Sequence, residues 1–224
     1  MVVATVWWAD LGLLRRWHHG VLDDTERRRL AAIVHPRHRR QSTLGAVLLR
    51  LAVAHHVGVP ADRLRVVREC PSCAGAHGRP RLPGHRLSVS VSHSGRRVVV
   101  AVAARGEIGV DVERHDGADD RSPTDLAQWC RQESVVKATG DGLRVRIRDV
   151  RIGPPSGPPR LLAYPGRPGL RARLWDLRPG PGYVAAAALV TPATLPARAR
   201  IVERTASRLL TKRLRTRVPR SRTA

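Results

Sequence analysis

The sequence contains no phenylalanine, one methionine and only two lysines, although it counts 41 lysines and arginines in 224 residues. Every basic residue other than Lys137 and Lys212 is therefore an arginine, which we attribute to codon bias in a GC-rich genome. Part of the formal charge of +23 then need not signal a function. Three cysteines are too few for a disulfide scaffold, and they favour a reducing compartment.

Long hydrophobic runs are also missing. The longest apolar stretches, such as Val98 to Ala104, are far too short to span a bilayer, and no basic region followed by an apolar stretch opens the chain. Hydrophobic residues make up 42% and charged residues 26%, which is ordinary for a chain that buries a core. We expect a cytoplasmic protein without membrane contact, and the composition excludes simple disorder for most of the sequence.

The positive charge is concentrated at the end of the chain. From residue 198 to residue 224 there are ten basic residues and one acid, Glu203. This pattern predicts a basic, disordered tail over 191–224. A pI of about 11.8 also raises the alternative of a nucleic-acid-binding protein. No binding signature for DNA or RNA supports it, and the basic residues are not interleaved with aromatic ones, so we do not expect nucleic acid as a partner.

The hydrophobic periodicity predicts helices and strands in an order that fits two similar α+β halves, 1–104 and 105–190. Helical spacing occurs over Asp23–Val34, Ser42–Val57 and Thr124–Thr139. Between the second and third helices, short β-branched runs alternate with turn residues. Three of these runs predict an antiparallel meander formed by Leu87–Ser92, Arg97–Ala104 and Glu107–Val112.

Two carboxylates, Asp111 and Glu113, end the third predicted strand of this meander. Side chains two residues apart in a strand point to the same face. At about 5 Å and an effective dielectric constant of about 20, two such charges repel by about 3 kcal/mol. A divalent ion with oxygen ligands, such as Mg²⁺, would relieve that repulsion. The alternative is a solvated strand end that Arg114 and other arginines neutralise.

Glu133 and Lys137 are four residues apart on the third predicted helix and therefore share a face. An ordinary helix salt bridge accounts for such a pair. A lysine in a chain that otherwise uses arginine, however, favours a need for a compact ammonium group that holds a phosphate oxygen or moves a proton.

His93 lies in a predicted turn between Ser92 and Ser94, and Gly95 follows. Small residues leave backbone N–H groups and the imidazole open to an anion. An ordinary polar turn is the alternative. A serine nucleophile with a histidine base is weakly supported, because no glycine-flanked nucleophile elbow surrounds the serines.

Taken together, these motifs resemble those of the phosphopantetheinyl transferases of the surfactin-synthetase-activating type. The resemblance is carried by VSVSHSG at 89–95, IGVDVER at 108–114 and WCRQESVVKATGDGL at 129–143. Weaker similarity covers 39–50, 78–80, 175–176 and 182–185, so it extends over about 2–190. It implies an α+β fold of two pseudo-symmetric halves, each a small, mostly antiparallel sheet with packed helices.

The resemblance also implies a reaction and its residues. The family transfers the 4′-phosphopantetheine arm of coenzyme A to a serine of an acyl or peptidyl carrier protein, with Mg²⁺. By resemblance, the metal ligands are Asp111, Glu113 and Glu133, and the catalytic residues are Glu133 and Lys137. The implied coenzyme A contacts are Arg29, Ser42, Arg79, Ser92, His93 and Lys137. We expect a monomer whose basic surface meets an acidic carrier protein.

Two departures keep open a non-catalytic binder of coenzyme A or of a carrier protein. Gln132 occupies a position where the family usually has lysine, and the interval from Glu113 to Trp129 is shorter than in relatives. Cys70 and Cys73, with His77 nearby, invite a zinc site as well. Since a closed zinc site needs four ligands and no fourth is evident, we favour loop cysteines.

Overall fold

The computed structural model describes residues 1–68, 75, 78–115, 121–191 and 198–211. Within them the protein is a mixed α+β structure of small, mostly antiparallel sheets and several helices, which confirms the predicted class. The helices are α1 Asp24–Ala31, α2 Pro36–Val57, α3 Pro123–Thr139 and α4 Ser207–Thr211. The strands are β1 Val2–Asp10, β2 Val67–Arg68, β3 Pro80–Arg81, β4 Ser88–Ser94, β5 Arg97–Ala103, β6 Glu107–Arg114, β7 Arg151–Ile152, β8 Leu161–Ala163, β9 Ala172–Asp176, β10 Tyr183–Val190 and β11 Arg200–Thr205.

The larger sheet has the strand order β11-β1-β5-β4, and α2 packs on one face of it. Pro36 opens α2 at a position where a proline fits, and Gly58 ends it in the left-handed conformation with φ of 73°. The helix buries its apolar face against β4 and β5. The core between them includes Leu44, Val47, Leu48, Val89, Val98 and Val100.

The second sheet has the order β6-β10-β9 and is antiparallel throughout. Helix α3 lies across β6 and β10. Its close approach depends on Gly109, because a Cβ atom at this position would overlap the backbone of Ser134. The missing side chain therefore brings the middle of α3 directly against β6, which carries Asp111.

The prediction of one meander is wrong for its third strand. β4 and β5 form the expected antiparallel pair, but β6 pairs through its backbone with β10 in the second sheet. Serine side chains of β4 bond to backbone N–H groups of β6 instead. Three such contacts span the two strands: Ser88 Oγ accepts from Ile108 N at 2.8 Å, Ser90 Oγ from Val110 N at 3.1 Å and Ser94 Oγ from Arg114 N at 3.0 Å.

The prediction of a disordered tail is wrong for 200–211. β11 pairs in parallel with β1, because Ile201 and Val202 supply β-branched residues and the lone acid Glu203 accepts a hydrogen bond from Trp8 Nε1 at 2.8 Å. Helix α4 then buries Leu210. The rest of the predicted tail at 192–197 and 212–224, and the candidate zinc residues Cys70, Cys73 and His77, lie outside the described residues. Among the described residues, no helix has the length and the apolar character that crossing a membrane requires.

Candidate active site

A cavity of about 450 Å³ opens between the two sheets, and it collects the predicted site residues except Arg79. Elements from both sides of the junction near residue 104 contribute to it: α1, α2, β2 and β4 on one side, β6 and α3 on the other. The lining residues are Arg29, Ser42, Ala46, Arg68, Val91, Ser92, His93, Asp111, Glu113, Trp129, Glu133 and Lys137. Motifs that are far apart in the sequence thus meet at one site.

Asp111 is at the centre of a buried polar cluster. Lys137 Nζ lies 2.5 Å from Asp111 Oδ1, and Ser92 Oγ donates a hydrogen bond to the same oxygen at 2.8 Å. Lys137 also donates to Ser92 Oγ at 3.0 Å, so the three side chains form a closed triangle. Burial opposes the charge of Lys137, but the Asp111 carboxylate outweighs it and raises the lysine pKa. Lys137 is therefore a fixed ammonium group.

The second oxygen of Asp111 is buried and has no hydrogen-bond partner among the described residues. Glu113 and Glu133 line the same cavity. Burial raises the pKa of both glutamates, and the negative charge of Asp111 raises them further. Asp111, Glu113 and Glu133 therefore share the cavity, and Lys137 is paired with Asp111 while Arg121 also acts on Glu113.

This donor set fits a magnesium ion by its chemistry, because Mg²⁺ prefers oxygen ligands and keeps several waters. The second oxygen of Asp111, which is buried and has no hydrogen-bond partner among the described residues, is an atom that such an ion would satisfy. The described residues nevertheless contain no group of three or more His, Cys, Asp or Glu side chains close enough to hold a metal. The carboxylates share a cavity without forming an assembled metal cluster.

His93 lies between the carboxylates and helix α2. Its Nε2 is 3.5 Å from Ser42 Oγ. Burial lowers the pKa of His93, and the positive charges of Lys137 and His38 act in the same direction. The imidazole is therefore neutral at physiological pH, with one ring nitrogen available as an acceptor and the other as a donor.

Two arginines of the lining lie close enough to interact, and we call them the cationic end of the cavity. Arg29 reaches it from α1 and Arg68 from β2. Burial, together with the positive charge of Arg29, lowers the pKa of Arg68 to about 10, so its guanidinium stays charged at neutral pH. Its Nη1 donates to the carbonyl of Gly78 at 2.8 Å, while its buried Nε has no partner among the described residues. An anionic ligand would complete the environment of these two guanidinium groups.

Arg79 is placed elsewhere. Its guanidinium donates to the carbonyl of Ala138 at 2.8 Å and to Ser88 Oγ at 2.6 Å, and it pairs with Glu107 at 2.5 Å. These contacts tie together the end of α3 and the starts of β4 and β6. The structure thus gives the side chain a fixed place outside the cavity lining.

Sequence reasoning missed Arg68 and Trp129 as lining residues. Arg68 is one of many arginines, and no sequence pattern distinguishes it from the others. Trp129 lies within the third motif, and its ring lies under the guanidinium of Arg121. The departure at Gln132 has a structural explanation, since its Nε2 donates to the carbonyl of Val150 at 2.9 Å. This side chain joins α3 to the segment before β7.

Comparison with known proteins found no family model and no curated protein that matches this sequence. Function must therefore be argued from the cavity and from the motifs that line it. The cavity combines two guanidinium groups, a neutral imidazole, a paired lysine and three carboxylates. Such a site suits a polyanionic ligand whose charge is balanced by cations at both ends.

Proposed function

We propose that the protein transfers the 4′-phosphopantetheine arm of coenzyme A to a serine of an acyl or peptidyl carrier protein, with Mg²⁺. The observation that carries the proposal is the single cavity in which three separate motifs place Asp111, Glu133, Lys137 and His93. The motifs resemble those of the surfactin-synthetase-activating type of phosphopantetheinyl transferase. On the same grounds we propose a cytoplasmic monomer whose two halves are pseudo-symmetric.

The cationic end of the cavity would bind the phosphates of coenzyme A. Arg29 and Arg68 supply charge there, and His93 and Ser42 supply hydrogen-bond donors. Phosphoryl transfer requires mainly correct positioning and charge neutralisation, which this arrangement offers. The arginines of both α1 and β2 would then fix the nucleotide before the reaction.

Asp111, Glu113 and Glu133 would hold the magnesium ion, which when bound neutralises charge on the pyrophosphate. The serine Oγ of the carrier forms a bond to the phosphorus that bears the pantetheine arm. The bond from this phosphorus to the bridging oxygen breaks, and 3′,5′-ADP leaves. Glu133 takes the serine proton, directly or through a water molecule, and burial raises its pKa in the direction that favours this role. Lys137 balances the charge that develops on the departing phosphate.

A non-catalytic binder of coenzyme A or of a carrier protein is the second candidate. It is favoured by Gln132, whose amide is engaged with Val150 where the family usually places a lysine. A binder would keep the cationic end of the cavity and would lack transfer activity. Both candidates would bind coenzyme A, so affinity for coenzyme A does not distinguish them. Transfer of phosphopantetheine to a carrier does, because only the enzyme would catalyse it.

Mass spectrometry of the carrier tests the proposal. The purified protein, Mg²⁺, coenzyme A and an apo carrier protein should yield a carrier that is heavier by one phosphopantetheine group. Asp111→Asn, which removes the charge and keeps the shape, should abolish the mass shift, whereas the control Asp149→Asn on an exposed turn should not. Absence of transfer to several carriers by folded protein that binds coenzyme A would leave the binder as the function.

A further inference from the structure

A second cavity, of about 510 Å³, adjoins the first one. His93 and Glu113 line both cavities and so form the wall between them. The second cavity is otherwise built from the first turns of α2, the turn between β4 and β5 and the end of β6. Neither Arg29 nor Arg68 lines it. A group that enters it therefore reaches Glu113, one of the proposed metal ligands, without passing Arg29 or Arg68.

The rim of the second cavity is basic and lies at the N-terminus of α2. His35 is the N-cap of α2 and makes no side-chain capping bond, and the first turn contains no acid. Arg37 and His38 line the cavity and are exposed. The N-terminus of a 22-residue helix carries partial positive charge, which adds to these side chains. Negative charge is therefore favoured at this rim.

Gln41 supplies an independent sign that something binds here. It lines the second cavity and is only 4% exposed. Its Nε2 donates to the carbonyl of Gly95 at 2.8 Å, which fixes the orientation of the amide. Its Oε1 is buried and accepts no hydrogen bond from any residue in the described part of the chain. A ligand with an N–H or O–H donor would satisfy this oxygen.

An apolar side chain stands beside the same rim. Val34 directly precedes the N-cap and is 91% exposed. The proposed reaction needs a serine-bearing protein beside the carboxylates, and a basic rim suits an acidic segment of such a protein. Val34 would add an apolar contact at the edge of this rim.

We propose that this surface, formed by Val34, His35, Arg37, His38 and Gln41 and called the acceptor face, docks an acidic, serine-bearing segment of a protein. The inference rests on the proposed function and specifies where its acceptor binds. Carboxylates of the segment meet the basic rim, a backbone N–H of the segment donates to Gln41, and an aliphatic side chain meets Val34. The serine then reaches the carboxylate site across the wall of His93 and Glu113.

Charge reversal on the acceptor face provides the test. The double variant Arg37→Glu/His38→Glu is compared with the wild type and with Arg148→Glu, a reversal on an exposed turn remote in sequence from this face. The probe is a fluorescently labelled apo acyl carrier protein, titrated at low and at physiological salt, and coenzyme A affinity is measured separately. We expect the double variant to weaken carrier binding by about tenfold or more and to raise KM for the carrier.

The same variant should bind coenzyme A within about twofold of the wild type, because neither Arg37 nor His38 lines the first cavity. Equal carrier affinity in the double variant, the wild type and Arg148→Glu would overturn the acceptor face. A parallel loss of coenzyme A affinity would overturn it too, since the surface would then belong to the nucleotide site. Wild-type protein that transfers no phosphopantetheine and binds no carrier would overturn the proposed function itself, whereas transfer that ignores the charge reversal would overturn this inference alone.

Discussion

Lys137 of α3 and Asp111 of β6 form an ion pair of 2.5 Å, with only 4% of the aspartate side chain and 30% of the lysine side chain exposed. The pair joins a helix and a strand that belong to different sequence motifs. It depends on Gly109, which lets α3 lie against β6. The first oxygen of Asp111 thus holds the lysine, whereas its second, buried oxygen has no hydrogen-bond partner among the described residues.

Removal of the lysine should therefore cost stability as well as activity. Lys137→Ala leaves a buried carboxylate without its cation, and we expect a loss of about 3 kcal/mol in the free energy of unfolding, the lower end of the range for a broken buried pair. Lys137→Ala combined with Asp111→Asn should lose less than the sum of the two single changes. Urea unfolding of the four proteins completes the double-mutant cycle. Additive losses would contradict a direct interaction.

The glutamates of the cavity should show the opposite effect. Burial and Asp111 raise the pKa of Glu113 and Glu133, so each ionised glutamate destabilises the metal-free fold. Glu113→Gln and Glu133→Gln should therefore raise the Tm without Mg²⁺ at pH 7 to 8. The penalty exists above the raised pKa, and it is relieved as the pH falls through this value towards the ordinary 4.5. The gain in Tm should therefore shrink over this interval.

A thermal-unfolding series from pH 8 to pH 4 measures the effect, with the exposed Asp149→Asn as the matched control. The control should leave the difference from wild type near zero at every pH. A Tm that drops in both glutamine variants at neutral pH would show that the ionised carboxylates stabilise the fold, contrary to the raised pKa of both glutamates.

The serines of β4 should matter for stability through their contacts to β6. Ser90 Oγ accepts from the backbone N–H of Val110, and both residues are buried. Ser90→Ala leaves this N–H without a partner, at a cost of about 1–3 kcal/mol, whereas Ser156→Ala on an exposed turn should change little. Hydrogen exchange of the Val110 amide reports the contact directly. Unchanged exchange in Ser90→Ala would refute it.

The same strand shows where the sequence pattern misleads. Alternation in β4 predicts a strand with one apolar and one solvent-facing side. The strand is confirmed, yet Ser88, Ser90 and Ser92 are 8%, 4% and 8% exposed because their hydroxyl groups face β6. A polar position says nothing about whether its partner is water or another strand. That information lies in the packing of the two sheets, which residue spacing does not encode.

The candidate site was likewise predicted only in part from the sequence. The sequence alone predicts that Asp111 and Glu113 lie on one face of β6, because side chains two residues apart in a strand point to the same side. Lys137 reaches Asp111 because Gly109 has no side chain, which lets α3 pack directly against β6. The sequence pattern does not show this close approach. Arg68 could not be predicted, because its position depends on the packing of a two-residue strand and arginine carries little information in this composition. The acceptor face could not be predicted either, because it depends on the burial of Gln41, and no sequence pattern indicates that burial.

Arg50 links the stability of the fold to the proposed nucleotide end. It is fully buried in α2, with its guanidinium paired with Asp23 and Glu26 at 2.6 Å each and donating to the carbonyls of Ala61 and Leu64. Asp23 and Glu26 also form the capping box that starts α1. Arg50 therefore fixes the helix that carries Arg29 into the cavity.

Arg50→Leu should destabilise the protein by about 3–5 kcal/mol, because it leaves the buried Glu26, the half-buried Asp23 and two carbonyls without their donor. Arg50→Lys should recover only part of this loss, since one ammonium group cannot reproduce the fixed fork of a guanidinium. In the fraction that remains folded, a loosened α1 should weaken affinity for coenzyme A, whereas the exposed Arg63→Leu should preserve both properties. Urea unfolding and calorimetric titration separate the two effects. Wild-type stability in Arg50→Leu would mean that α1 is held by its apolar contacts alone.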